Sequence, residues 1–360
     1  MQILTLARRK NAFAPVGICI CLMKRRVKCP RVCLSLEGRR NAEILGLIVL
    51  LRYILTRLGQ TLIVLLGVTI ITFTMVNIIP GDPVAVMMQK KADDATIERI
   101  REQMGLNKPL VEQYFTFVKN AVTGDLGDSY FHKLPVNTLL ARGFRVTGGL
   151  AIGVLSFAIV VGILMGVLAA VFRGRALDKI IMFISTLGMA MPSFWMAIIL
   201  QLIFGLWLRM LPISGLRSIQ SYILPSVALG VIYAASIARL TRTNMLDSLN
   251  QDYIRTAKAK GVSQVAIVMK HGLRNAGIPI LTYLGTLVKS ILGGSVLVET
   301  VFAINGLGFL LVDAIMKRDI PVIQGCTVYI ASVFVIINLL IDLAYGLIDP
   351  RIRVTKGKEA

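Results

Sequence analysis

A chain of 360 residues with 56% apolar and only 16% charged residues, and a mean hydropathy of +0.74, is too apolar for a soluble globule, whose charged share is about a quarter. Its formal charge of +21 could suit nucleic acid, but the basic residues gather at the ends of apolar stretches rather than on an aromatic-studded face. They read as membrane-orientation signals, and no nucleic-acid partner is expected.

Residues 1–50 differ from the rest. They carry Cys19, Cys21, Cys29 and Cys33 with the clusters Lys24-Arg25-Arg26 and Arg39-Arg40. The run Phe13–Met23 has the length of a signal-peptide core, yet basic residues follow it and no small-residue cleavage site appears. Cys-x-Cys and Cys-x3-Cys spacings without a nearby histidine make a poor zinc pattern. The stretch reads as a non-native or disordered basic extension, with no disulfide and no metal.

From Leu51 onward the chain reads as an all-α integral membrane protein, since a span needs roughly 20 apolar residues. Six crossings are expected, at Leu58–Ile79, Gly148–Phe172, Ile180–Leu208, Tyr222–Ala238, Gly277–Val298 and Val322–Leu347. The first lies within residues 51–80, behind Arg52 and Arg57 at the inner interface, and stops at Pro80-Gly81. Residues 81–147 form a small extracytoplasmic subdomain. In it Asp94 or Thr96 caps a helix that Gly105 ends, and a second helix with Tyr114, Phe115 and Phe117 leads into a compact Gly-rich loop, either a lid over the bilayer or a contact for an external protein. The second span holds Gly149-x3-Gly153 and Gly162-x3-Gly166, spacings that let helix backbones approach closely.

The third span contains Pro192 and is read as one tilted or kinked helix, because splitting it would place the most basic loop outside. With both termini in the cytoplasm, three basic elements fall inside: Arg173–Lys179, the loop 239–276, and the tail 351–360. The helical core is thus residues 148–350. Trp207 reads as a headgroup anchor near the outer end, and Trp195 as packed inside.

The loop Asp252–Pro279 is the most informative segment. Ala257 and Ala259 leave a slim surface, Lys258 and Lys260 add charge, Gly261 permits a sharp break, and Ser263 can cap a second short helix. Such a tip can enter a groove on another protein, or lie on anionic membrane lipid. The segment also matches a known pattern: Asp252, Tyr253, Arg255, Thr256, Ala257, Ala259, Lys260 and Gly261, then His271, Leu273, Arg274 and Asn275. It resembles the EAA-type cytoplasmic loop of ABC-importer permeases, in the form found in the dipeptide/oligopeptide/nickel family. Arg255-Thr256-Ala257 stands where the broader pattern has Glu-Ala-Ala, and Leu273-Arg274 where it has Leu-Pro. Further segments agree with the family: IPGDP (Ile79–Pro83), MGLNKPLVEQY (Met104–Tyr114), GDLGDS (Gly124–Ser129), MPSFW (Met191–Trp195), LPISG (Leu211–Gly215), GGSVLVETVFAINGLG (Gly293–Gly308) and IDPRIR (Ile348–Arg353).

The resemblance implies a type I ABC-importer permease fold in a bacterial or archaeal cytoplasmic membrane. It implies pairing with a second permease, two ATP-binding cassette subunits docked on the loops, and an extracytoplasmic solute-binding protein. Arg255, Thr256, Ala257, Lys258, Ala259, Gly261 and Val262 are then the ATPase contacts. The sequence has no G-x4-G-K-[ST] phosphate loop, so the chain is not expected to be an enzyme or to carry a cofactor, and ATP and Mg would be bound by the partners. Dipeptides, oligopeptides, glutathione and nickel complexes all remain open as substrates.

Lys289, near the middle of the fifth span, is either a pathway cation or a charge paired at a helix interface. Asp342 reads as a structural charge near a span end. Glu299, Asp313 and Asp319 fall in the loop after the fifth span with Gly306 and Gly308, where an external gate or binding-protein contact competes with ordinary solvated surface charge. His132 and His271 lie on opposite sides and share no site. A self-sufficient secondary transporter or channel is the rival reading, but it would want more ionisable residues in the spans. A membrane hydrolase would want an intramembrane Ser/His pair or H-E-x-x-H, and the sequence has neither.

Overall fold

In the computed structural model the described residues are 36–78, 98, 99, 101, 102, 107–216 and 218–348. They fall in two compact units, Met1–Leu55 and Thr56–Ala360. Only helical residues from Leu36 onward are described in the first, and its four cysteines lie outside the described residues. Also outside them are Asp94, Thr96 and Gly105, the tail, and the side chain of Asp342. Among the described residues the structure is helical, with one isolated antiparallel bridge between Asp128 and Pro135.

Helices dominate because a backbone in hydrocarbon must satisfy its own N–H and C=O groups. Helix α1 (Leu36–Ile78) contains the first span at Thr56–Ile78. Helix α2 (Leu110–Thr123) is amphipathic and ends at Gly124, whose φ of 80° lets the Gly124 and Asp125 amides turn back onto Ala121 and Asn120. On its inner side Tyr114 meets Thr69 Oγ1 at 3.1 Å and stacks edge-on against Phe73. Helix α3 (Val136–Val171) starts directly after Pro135, well ahead of the expected Gly148.

Next come α4 (Ala176–Ala190) and α5 (Ser193–Leu200), the latter prolonged by a π-helical turn over Gln201–Trp207. A 3-10 turn at Ile219–Tyr222 runs into α6 (Ile223–Leu249), followed by α7 (Asp252–Ala259), α8 (Gln264–Ala266) and a π-helical turn at Ile267–Gly272. Helices α9 (Leu273–Val301), α10 (Leu307–Lys317) and α11 (Ile320–Ile348) complete the described fold. Among the described residues four helices are long and apolar enough to cross a membrane. The count reaches six when α4 with α5, and the bent pair Gln264–Ile291 and Ser295–Val301, each make one span.

The third span corrects the sequence reading. Its halves meet at 107°, a break rather than a kink. Met191 and Pro192 are both extended, with ψ of 131° and 140°. Proline forces its predecessor out of the helical region and brings no N–H of its own, so one helix ends and another starts. The turn also leaves Trp195 45% exposed, because Ala197, Met196 and Leu200 take the inward face. Trp207 is 75% exposed.

Helix α3 packs along α6 over most of its length, and its glycines make that possible. A Cβ on Gly162 would stand 2.7 Å from Ile237 Cβ and 2.8 Å from the Ala234 oxygen, and one on Gly166 would stand 2.6 Å from the Ala238 oxygen. Close backbone approach replaces the hydrophobic drive that lipid cannot supply. Around this pair, Leu150, Val154, Leu224, Leu229, Ile291, Val298 and Phe302 form the main core. A second core joins Val136 and Leu140 to Leu307, Ala314, Val322 and Cys326.

Candidate functional site

Helix α6 continues past the expected end of its span to Leu249, so the basic loop stands on a helical stalk. The chain then turns through Asn250 and Gln251, whose amides bond to Leu246 and Ser248. In α7, Asp252 lies in the first turn and Lys258 in the last, both signs matching the helix dipole. Gly261 has φ of +75°, a conformation glycine adopts without steric cost. Ser263 Oγ then accepts the Ala266 amide at 3.4 Å, capping α8.

Positions 254, 257 and 267 face inward, where Ile254, Ala257 and Ile267 form a small core with Leu249 and Val262. Ala257 is only 7% exposed. Its short side chain lets α7 fold against the π-helical turn, which corrects the expectation that it belongs to the slim outer surface. Arg255, Thr256, Lys258, Ala259 and Gly261 are exposed, and Val262 is half-buried. Two exposed apolar residues escaped the sequence reading: Val265 at 73% and Met269 at 53%. Their signal was apolar side chains in an otherwise polar, basic segment, an arrangement typical of interfaces.

The base of the loop is pinned. Asp178, in the first turn of α4, takes two hydrogen bonds from Arg242 of α6, at 2.6 and 2.8 Å, and one from the Gly174 amide at 2.9 Å. Its side chain is 5% exposed. This ties the basic turn 173–179 to the stalk, a pairing that sequence separation concealed.

At the opposite end of the bundle two buried acids set the geometry. Glu299, in the last turns of α9, is 0% exposed. It accepts Thr147 Oγ1 at 2.7 Å, the Gly308 amide at 2.8 Å and the Phe309 amide at 3.1 Å, while Thr147 accepts the Leu307 amide at 2.9 Å. It is an anion seated on the N-terminus of α10. Asp319 is also 0% exposed, and it accepts Ser129 Oγ and the amides of Tyr130 and Phe131. Burial, reinforced by the Asp319 charge, pushes the Tyr130 phenol up to about 12. Asp313, on α10, meets Lys317 at 2.8 Å and His132 at 3.5 Å. The expectation of solvated charges in one loop therefore fails for Glu299 and Asp319, because bare helix and loop amides offer each carboxylate a full set of donors.

Lys289 is half-buried in α9 and has no hydrogen bond or ion pair among the described residues. Thr282, Thr286 and Ser290 are exposed on the same side of the helix at spacings of four. Thr282 and Ser290 bond back to the carbonyls of Ile278 and Thr286. Glu299 lies beyond this stripe, near the start of α10, Asp313 lies further along α10, and the basic loop 252–272 lies at the other end.

Among the described residues, a helical architecture with several segments long and apolar enough to cross a membrane, a structured basic loop at their end and a polar stripe along one of them fit the membrane component of a transport system. Residues 162–354 match the family of binding-protein-dependent transport system inner membrane components, and residues 50–147 match the N-terminal region described for the same systems. The chain belongs to that family, and it is a permease subunit of an ABC importer. It is 42% identical, over 304 residues, to the glutathione transport system permease protein GsiC of Escherichia coli strain K12, covering 84% of this chain and 99% of the relative. The GsiC proteins of Shigella dysenteriae serotype 1 and Shigella boydii serotype 4 are 42% and 41% identical with the same coverage.

Proposed function

We propose that this permease imports short peptides or peptide-like solutes, with glutathione the first candidate because the relatives above are named for it. It forms half of a pathway with a second permease, and an extracytoplasmic binding protein delivers the solute. Two ATPase subunits drive the cycle by ATP hydrolysis, and ATP and Mg reside there. Both termini lie in the cytoplasm, as the basic loops require.

The observation that carries this reading is the loop itself. Small and apolar groups at Ala259, Gly261 and Val265 are presented on a pinned stalk and ringed by Arg255, Lys258 and Lys260. Arg255, Thr256, Lys258, Ala259, Gly261 and Val262 meet the ATPase, and Ala257 holds the loop in shape from within. Rigid-body movement of the ATPases then reaches the spans through α6 and α9. The α9 stripe with Lys289 faces the shared pathway, because a mid-span charge needs water or a partner. Glu299 and Asp313 hold α10 at the outer gate.

The test is co-purification of the assembled importer carrying Ala259→Arg or Val265→Arg, both at exposed positions. Each should release the ATPase subunits and abolish ATP-driven uptake of glutathione into liposomes while the two permeases stay together. Retention of the ATPases by both variants would sink the docking assignment. Uptake by the wild-type chain without ATP would sink the importer reading.

A further inference from the structure

Behind the docking face, where α6 ends and α9 begins, lies an open cleft of about 320 Å³ lined by Asn244, Asp247, Ser248, Gln251, Tyr253 and Asn275. Several of its polar groups spend a hydrogen-bond donor on a nearby backbone carbonyl. Asn244 Nδ2 donates to the Leu240 carbonyl at 2.8 Å, and Gln251 Nε2 to the Asp247 carbonyl at 3.3 Å. Each amide keeps its oxygen, and one N–H, for the cleft. Ser248 Oγ gives its single proton to the Gly272 carbonyl at 3.2 Å. The 2.5 Å contact between Ser248 and Tyr253 must then run from the phenol to the serine. Tyr253 Oη is left with lone pairs alone. The Asp247 carboxylate is exposed and makes no hydrogen bond or ion pair among the described residues.

The result is one negative charge and three neutral oxygens around a single opening, with the remaining N–H groups of Asn244, Gln251 and Asn275 beside them. That inventory suits a cation with several N–H groups to give. We propose that the cleft receives the guanidinium of an arginine carried by the ATPase subunit docked against α7. The proposal rests on the docking reading above. A planar fork of five donors matches acceptors spread over two helices better than a point-like ammonium does. A hard divalent cation would ask for more than one carboxylate here. The charge pattern agrees: the surrounding exposed residues include Arg255, Lys258, Lys260, Lys270 and Arg274. Asp252, the other acid of the segment, already faces Arg255 at 3.5 Å. A partner arginine is repelled from the rest of this surface and drawn to Asp247, which fixes the orientation of the docked subunit.

The assembled importer tests this directly. Asp247→Asn keeps the shape and removes the charge, and Asp247→Glu restores it. Asp247→Asn should raise the rate of ATPase-subunit dissociation at physiological salt by about tenfold, with Asp247→Glu close to wild type. A photo-crosslinking residue in place of Tyr253 should label an arginine-containing ATPase peptide. If Asp247→Asn dissociates like wild type while Ala259→Arg releases the subunit, docking stands and the cleft assignment is overturned. If neither variant releases it, the docking reading fails and takes the cleft with it. Should Asp247→Asn misassemble, a crosslink to a peptide without arginine would still refute the proposal.

Discussion

Glu299→Ala is the substitution whose cost the structure specifies most fully. The wholly buried carboxylate serves the amides of Gly308 and Phe309 and the hydroxyl of Thr147, and Thr147 in turn serves the Leu307 amide. Alanine strands at least these three donors in a dry site. At about 1–3 kcal/mol for each buried unsatisfied group, less some relaxation, the loss is roughly 3–5 kcal/mol. Glutamine keeps the shape and one acceptor for the two amides, but it points an NH2 at a hydroxyl that already accepts a bond. That change costs about 1–2 kcal/mol. At roughly 2–4 °C per kcal/mol for a large domain, Glu299→Ala should lower the unfolding midpoint by about 10 °C and Glu299→Gln by about 4 °C. The assay is thermal unfolding of the purified chain in detergent, followed by intrinsic fluorescence, with Thr147→Val completing a double-mutant cycle. Additive effects of Thr147→Val and Glu299→Ala, or a Glu299→Ala midpoint within a degree of wild type, would refute the account of the buried anion.

Gly166→Val would drive a side chain into Thr241 Cβ and the Ala238 oxygen. It should cost about 3 kcal/mol or more in the same unfolding assay, whereas Gly148→Val, where a Cβ meets nothing within 4 Å, should be silent. Arg242→Ala strands the buried Asp178 carboxylate and should destabilise by about 3 kcal/mol, and Asp178→Leu added to it should recover part of that loss. Tyr130 supplies a pH dependence. Its phenol is held above the ordinary 10, at about 12, so its protonated form favours the fold. The stabilisation is fully present below pH 10 and is lost as the pH rises through 12; Tyr130→Phe should flatten stability measured between those limits. Lys289→Gln should reduce uptake of a tripeptide with net negative charge by about fivefold relative to a neutral one, with ATP hydrolysis unchanged, and equal uptake of both would remove Lys289 from the pathway.

Hydropathy made the spans legible, and spacing made the α3 glycines legible, because both depend on residue type repeated at a helical period. The broken third span was not legible in the same way. A proline inside an apolar run permits either a kink or a stop, and the difference lies in the extended backbone of Met191 and Pro192. The buried acids were harder still, since a carboxylate reads as surface until its donors are known. The usable hint was Gly306 and Gly308 ahead of α10: a Cβ on Gly306 would stand 2.5 Å from the Glu299 carboxylate carbon. An acid followed within ten residues by Gly-x-Gly at a helix start therefore reads better as a seated anion than as a gate charge.

The loop between α6 and α9 carries the same lesson in reverse. Two alanines in one short helix looked equivalent, yet Ala257 shares a face with Ile254, three residues earlier, and Ala259 does not. The i, i+3 relation to the one large apolar residue of α7 that is buried decides which alanine packs and which is presented. Small size thus serves two ends here: at 257 it lets the loop close on itself, and at 259 it leaves the slim exposed surface that the proposed ATPase contact needs. A bulky residue should therefore separate the two roles, since at 259 it removes the partner from a folded loop, whereas at 257 it unfolds the loop and loses the partner as a consequence.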